Sequence, residues 1–189
     1  IIPTIGNPIF ALSTNGCAAA AALKRYSILL GNTEYSTARE FELIRLFLEK
    51  QVDGIVLTES PLHDQSIGYL RKKNVPFVIT WEKTDDHDIS YVTFDNARAA
   101  GKAIAHLINL GHRRIAFISG SFLASGRAKR RYDGYRKELE RAKLHYDEQL
   151  VIQTEFTVAA GRKAVHKLLQ LSEPPTAILC ATDILAYGA

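Results

Sequence analysis

At 189 residues the chain is long enough to bury a substantial core, either as one large domain or as two small lobes. Hydrophobic residues make up 47% and charged residues 23%, the balance of an ordinary soluble globular protein, and no apolar run approaches the roughly 20 residues of a membrane span. The net charge of +4 is local: eight basic and three acidic residues fall between Arg127 and Lys143, which leaves the remainder about neutral and argues against a nucleic-acid-binding surface on this chain.

Taken in chain order, short apolar strands alternate with amphipathic helices. Ile1-Ile2-Pro3 reads as the tail of a strand. Pro8–Arg25 predicts a helix with Ile9, Leu12, Gly16, Ala19, Ala20 and Leu23 on one face. Ser27–Gly31 predicts a strand. Thr37-Ala38-Arg39-Glu40 has the pattern of a capping box opening the next helix. Strands follow at Val52–Thr58 and Val75–Trp81, with a weaker one at Ser90–Phe94. Asp95 is placed to cap a helix that stops at Gly111, the usual left-handed position after a helix. Arg114–Gly120 is a strand, and the helix after it carries Ala128, Tyr132, Tyr135, Leu139 and Ala142 on one stripe. Thr157 caps another helix, and Thr176–Ala181 is the last strand. Near-continuous apolar strands joined by short connections and helices predict an α/β fold with parallel sheets covered on both faces.

Catalytic and metal signals are missing from this pattern. Gly6-Asn7-Pro8 is too glycine-poor to cradle a phosphate, and Ser119-Gly120-Ser121 is not the GxSxG of a hydrolase elbow. His106, His112, His145 and His166 have no carboxylate or cysteine neighbours at metal-ligand spacing. No cofactor is expected and the chain is not read as an enzyme. Cys17 and Cys180 read as buried free thiols, which fits a reducing, cytoplasmic compartment. No export signal is visible. The strand-like start, the helical stop at Tyr187-Gly188-Ala189 and the lack of any Met predict a piece of a longer chain.

Seven stretches, in order and spanning essentially the whole chain, resemble the lactose-repressor (LacI/GalR) family of transcriptional regulators. They are Asn7-Pro8-Ile9-Phe10; Leu30-Gly31-Asn32-Thr33; Gln51 through Val56; Asp95-Asn96; the run Leu110-Gly111-His112-Arg113-Arg114-Ile115-Ala116-Phe117-Ile118-Ser119-Gly120; Gly134-Tyr135; and Pro175 through Ile178, followed by Asp183. The run from Leu110 separates regulators from the periplasmic sugar-binding proteins that share the fold. The resemblance implies a periplasmic-binding-protein-like type I fold of two Rossmann-like lobes, residues 1–94 and a truncated 95–189. It implies a small-molecule effector held between the lobes, a homodimer, and operator DNA bound through a helix-turn-helix head that this chain lacks. A solute-binding receptor for transport on the same fold is the alternative.

Ligands of open α/β sheets sit at the carboxyl ends of strands. Arg131, at the edge of the inward stripe of its helix, matches the family's effector-binding arginine and could donate two parallel hydrogen bonds to ligand oxygens. Phe10 and Phe156 match aromatic walls. Trp81 stands where many members carry Asp, and Asp95 and Asp183 are each either ligand contacts or helix caps. These six are the expected site.

Overall fold

The computed structural model describes residues 1–58, 64–84 and 86–189, which divide into two compact units, Ile1–Phe94 and Asp95–Ala189. In the first unit come the helices α1 (Pro8–Ala22) and α2 (Thr37–Glu49), strand β1 (Ile55–Thr58), helix α3 (Asp64–Lys72), and strands β2 (Phe77–Thr80) and β3 (Tyr91–Val92). The sheet is parallel in the order β1-β2-β3, with Ile55 opposite Phe77 and Ile79 opposite Tyr91. Ile55, Leu57 and Ile79 bury one face of it against Ile44 and Phe47 of α2 and Ile67 and Leu70 of α3.

The second unit holds α4 (Asn96–Asn109), β4 (Ile115–Ser119), α5 (Gly126–Arg141), β5 (Val151–Gln153), α6 (Val158–Leu169), β6 (Ala177–Cys180) and α7 (Asp183–Gly188). Its sheet is parallel in the order β5-β4-β6. All five residues of the central β4 are buried, and they alternate between two cores. Ile115 and Phe117 pack with Ile104 of α4 and with Tyr135 and Leu139 of α5. Ala116 and Ile118 pack with Ala164 and Leu168 of α6 and Leu185 of α7. That is the two-sided cover which a near-continuous apolar strand requires.

The amino ends of this sheet are fastened by polar groups from the stretch after α4. Gly111, at φ +95°, ends that helix in the left-handed region as expected. Arg113 Nη1 donates to the Ile108 carbonyl, a last-turn acceptor of α4, at 2.9 Å. Arg114 pairs with Asp147 at 2.9 Å and donates to the Glu173 carbonyl at 2.6 Å, while His112 Nδ1 lies 3.0 Å from Thr176 Oγ1. The most family-like run in the sequence therefore holds the second unit together.

Several expectations need correction. Ser27–Gly31 forms no ladder among the described residues; only Asn32 pairs, as an isolated parallel bridge to Ile2. The first helix ends at Ala22, and its expected apolar face points outward: Leu12 is 67% and Leu23 85% exposed, whereas Phe10 is buried. Helical spacing groups apolar residues without saying which group meets the sheet, and here small side chains, Ser13, Thr14 and Cys17, turn inward with Phe10. The α2 cap is Ser36, one residue earlier than expected, accepting from Arg39 N at 3.3 Å. Cys17 and Cys180 are free but only half-buried. The helix α3 and the three-residue β5 carry too short a pattern to have been read. Among the described residues no helix is long and apolar enough to cross a membrane.

Candidate functional site

In the second unit, β4 and β6 deliver the chain to the carboxyl edge of the sheet, where the candidate groups gather. Gly120 directly follows β4. A Cβ there would stand 2.2 Å from ring carbons of Phe156, so the ring lies against bare backbone and only glycine fits beneath it. Ser125 caps α5 by accepting from Ala128 N at 3.3 Å, which starts the helix early enough to put Arg131 in its second turn.

Arg131 is half-buried and turns back onto its own unit. Its Nε donates to Asn96 Oδ1 at 2.9 Å and its Nη1 to the Ala181 carbonyl, just beyond β6, at 2.5 Å. A guanidinium has five N–H donors in a fixed fork, and these two bonds set its plane. Sequence reasoning placed Arg131 at this edge and missed Asn96, its buried anchor at the first turn of α4.

Asp95 is the cap of α4, its Oδ1 accepting from Arg98 N at 2.9 Å. Asp183 is exposed and accepts from Ile184 N at 2.9 Å, at the start of α7. Two further hydroxyls at the same sheet edge are buried without a hydrogen-bond partner among the described residues: Ser119 Oγ at the end of β4 and Thr182 Oγ1 after β6. Such groups cost free energy unless something satisfies them. As a serine inside an apolar strand, Ser119 carries no local sequence signal of its solvation.

In the first unit, Trp81 follows β2 with φ +70°, a conformation uncommon for a bulky side chain. Its backbone N–H is held by the Val92 carbonyl at 2.9 Å. The indole meets Phe10 edge-to-face at 6.3 Å and Phe94 at 6.0 Å. Phe10 is only 3% exposed, so it supports the indole more than it offers a face of its own; Phe94 is largely open. Phe94 was absent from the sequence-derived set, and its place at the end of the weak strand was the available clue. Among the described residues no cluster of His, Cys, Asp or Glu could hold a metal.

In the second unit the guanidinium and the two hydroxyls can hold polar oxygens, and in the first unit the aromatic rings offer planar or sugar-like apolar surface a place to stack. Among the groups described there is no paired nucleophile and base.

Residues 1–189 match the family described as periplasmic binding proteins and sugar binding domain of LacI family. The chain is 33% identical over 188 residues to catabolite control protein A of Priestia megaterium, covering 100% of this chain and 57% of that protein. It is 35% identical over 191 residues to the HTH-type transcriptional repressor CytR of Escherichia coli, covering 100% of this chain and 55% of that protein. Among solved structures, the transcription regulator CcpA of Lactococcus lactis superposes with a TM-score of 0.84 at 30% identity, covering 99% of this chain and 68% of the other. A LacI family transcriptional regulator from Silicibacter pomeroyi gives 0.89 at 26%, covering 99% and 70%. The chain thus spans a little more than half the length of the curated relatives it matches. Those relatives are transcriptional regulators rather than enzymes. A fold of parallel α/β units, a match along every residue and relatives above 30% identity agree: this chain belongs to the LacI family of transcriptional regulators.

Proposed function

We propose that this chain is the effector-binding and dimerisation part of a ligand-responsive transcriptional repressor that works in the cytoplasm. Its effector is a small polar metabolite, a sugar or a related compound. Arg131, Phe156, Asp95 and Asp183 in the second unit, with Phe10 and Trp81 in the first, are the residues assigned to it. The observation that carries this reading is the Arg131 fork, oriented by Asn96 and the Ala181 carbonyl beside the unpartnered Thr182 hydroxyl. Effector binding changes operator affinity only by favouring one of two arrangements of the protein, so its free-energy difference between them sets the size of the response.

The names of relatives support the ligand class: a putative ribose operon repressor from Burkholderia thailandensis is 31% identical with a TM-score of 0.82. Operator DNA is engaged through a helix-turn-helix head outside these residues. Pairing uses α1, where Ile9 and Leu12 are exposed with Leu23 just past its end, together with α2, where Leu46 is exposed.

The test is calorimetric titration of the full-length protein with a panel of pentoses, hexoses and nucleosides, alongside operator-binding measurements. One member of the panel should bind and shift operator affinity. Binding that leaves operator affinity unchanged would instead favour a solute receptor.

A further inference from the structure

Helix α5 begins at the carboxyl edge of the second unit's sheet and carries positive charge at the end where helices least favour it. Unsatisfied amides give a helix N-terminus a partial positive charge, so acidic residues are favoured in the first turn. The first turn of α5 has no acid, and Arg127 stands there only 7% exposed. Arg127 and Arg131 are four residues apart, on one face of the helix. Helical side chains lean toward the N-terminus, so both guanidinium groups lie toward the start of α5. The first carboxylate along the helix, Asp133, is held by Lys129.

The loop that leads into this helix uses up its own amides. Phe122 N–H goes to Gln153 Oε1 at 2.8 Å, and those of Leu123 and Ala124 go to Ser121 Oγ at 3.3 and 3.4 Å. Ser125 N–H goes to the Ser121 carbonyl, and Ser125 Oγ takes the Ala128 N–H. Gly126 is the exception: it is buried, and among the described residues nothing accepts from its N–H. Ser119, fully buried, ends β4 on the side that Ile115 and Phe117 turn to α5, and its Oγ has no hydrogen-bond partner among the described residues. Thr182 Oγ1, likewise without one, directly follows the carbonyl that holds Arg131. Buried donors of this kind, beside two guanidinium groups and the positive end of a helix, fit an oxyanion.

We propose that the effector of this protein carries a phosphate ester, and that Arg127 together with the first amide of α5 selects it. On the effector-binding reading, on which this rests, the ligand narrows from polar metabolites in general to sugar phosphates. A phosphate monoester has close to two negative charges at neutral pH and three terminal oxygens, enough acceptors for the Gly126 N–H, the Ser119 hydroxyl and a guanidinium fork. A carboxylate offers two oxygens and a single charge. A neutral sugar gains nothing from the positive end of a helix.

Calorimetric titration of the full-length protein with pentose and hexose phosphates, their parent sugars and inorganic phosphate tests this. At least one ester should bind about tenfold or more tighter than its parent sugar, as expected for hydrogen bonds to a charged group. Arg127→Gln should remove most of that preference, and Arg127→Lys, which keeps the charge but not the fork, should restore part of it. The preference of the unaltered protein decides the matter even where a variant fails to fold. The proposal is overturned if no ester binds more tightly than its parent sugar, or if the preference survives Arg127→Gln in a folded variant. Inorganic phosphate binding as tightly as every ester would overturn it too, since the seat would then serve the free anion. A parent sugar that binds in preference to its ester and shifts operator affinity would sink this proposal and leave the regulatory reading standing. An ester that binds in preference to its parent sugar without moving operator affinity would sink the regulatory reading alone.

Discussion

Arg131, proposed as an effector contact, already has a structural role. Its two bonds to Asn96 and Ala181 fix the guanidinium before any ligand arrives. Arg131→Ala should therefore weaken effector binding by about 1.5–3 kcal/mol, the range for a hydrogen bond to a charged group. Arg131→Lys should rescue little, because a point charge cannot reproduce the fork. Exposed Lys137→Ala is the control, and calorimetry on all three separates the readings: equal affinities would remove Arg131 from the site. Asp95 makes the opposite case. Loss of its cap in Asp95→Ala should cost about 1 kcal/mol of stability in chemical denaturation. Arg131 and Phe156 were named by resemblance, and their partners Asn96, Ala181 and Gly120 lie far off in the chain; the capping role of Asp95 was legible from the sequence because it depends on neighbours a few residues away. Asn96, Ser119 and Phe94 were not, since what matters about them is a partner, or the lack of one, that only the fold decides.

At the scale of the element, the second unit depends on helices that touch through glycine. A Cβ on Gly134 of α5 would stand 2.0 Å from the Ala97 carbonyl oxygen of α4, so Gly134→Ala must push two helices apart. Denaturation should show a loss at or above the about 1–3 kcal/mol typical of overpacking. The outward face of α1 should behave differently. Leu12→Lys with Leu23→Lys should leave the denaturation midpoint of each subunit nearly unchanged, while light scattering of the full-length protein shows dimers giving way to monomers. Persistent dimers would move the pairing surface elsewhere. Elements whose own pattern was long enough were legible: β4, α4 with its Gly111 stop, α6 with its Thr157 cap. Ser27–Gly31 had the composition of a strand but lacks, in these residues, the neighbour that makes a strand a ladder. The orientation of α1 was out of reach because two candidate faces competed and the less apolar one turned inward.

For the molecule as a whole, residues 1–189 by themselves should show no operator-specific binding at moderate salt, since their excess positive charge sits on α5 alone. In the second unit the polar fastenings of His112, Arg113 and Arg114 lie at the amino rim of the sheet, while Gly120, Arg131, Phe156 and Thr182 lie at the carboxyl rim. Between them stands the fully buried β4. Such a layout separates the groups that hold the sheet together from those assigned to the proposed effector, so substitutions at the carboxyl rim could change what is bound while leaving the polar fastenings intact.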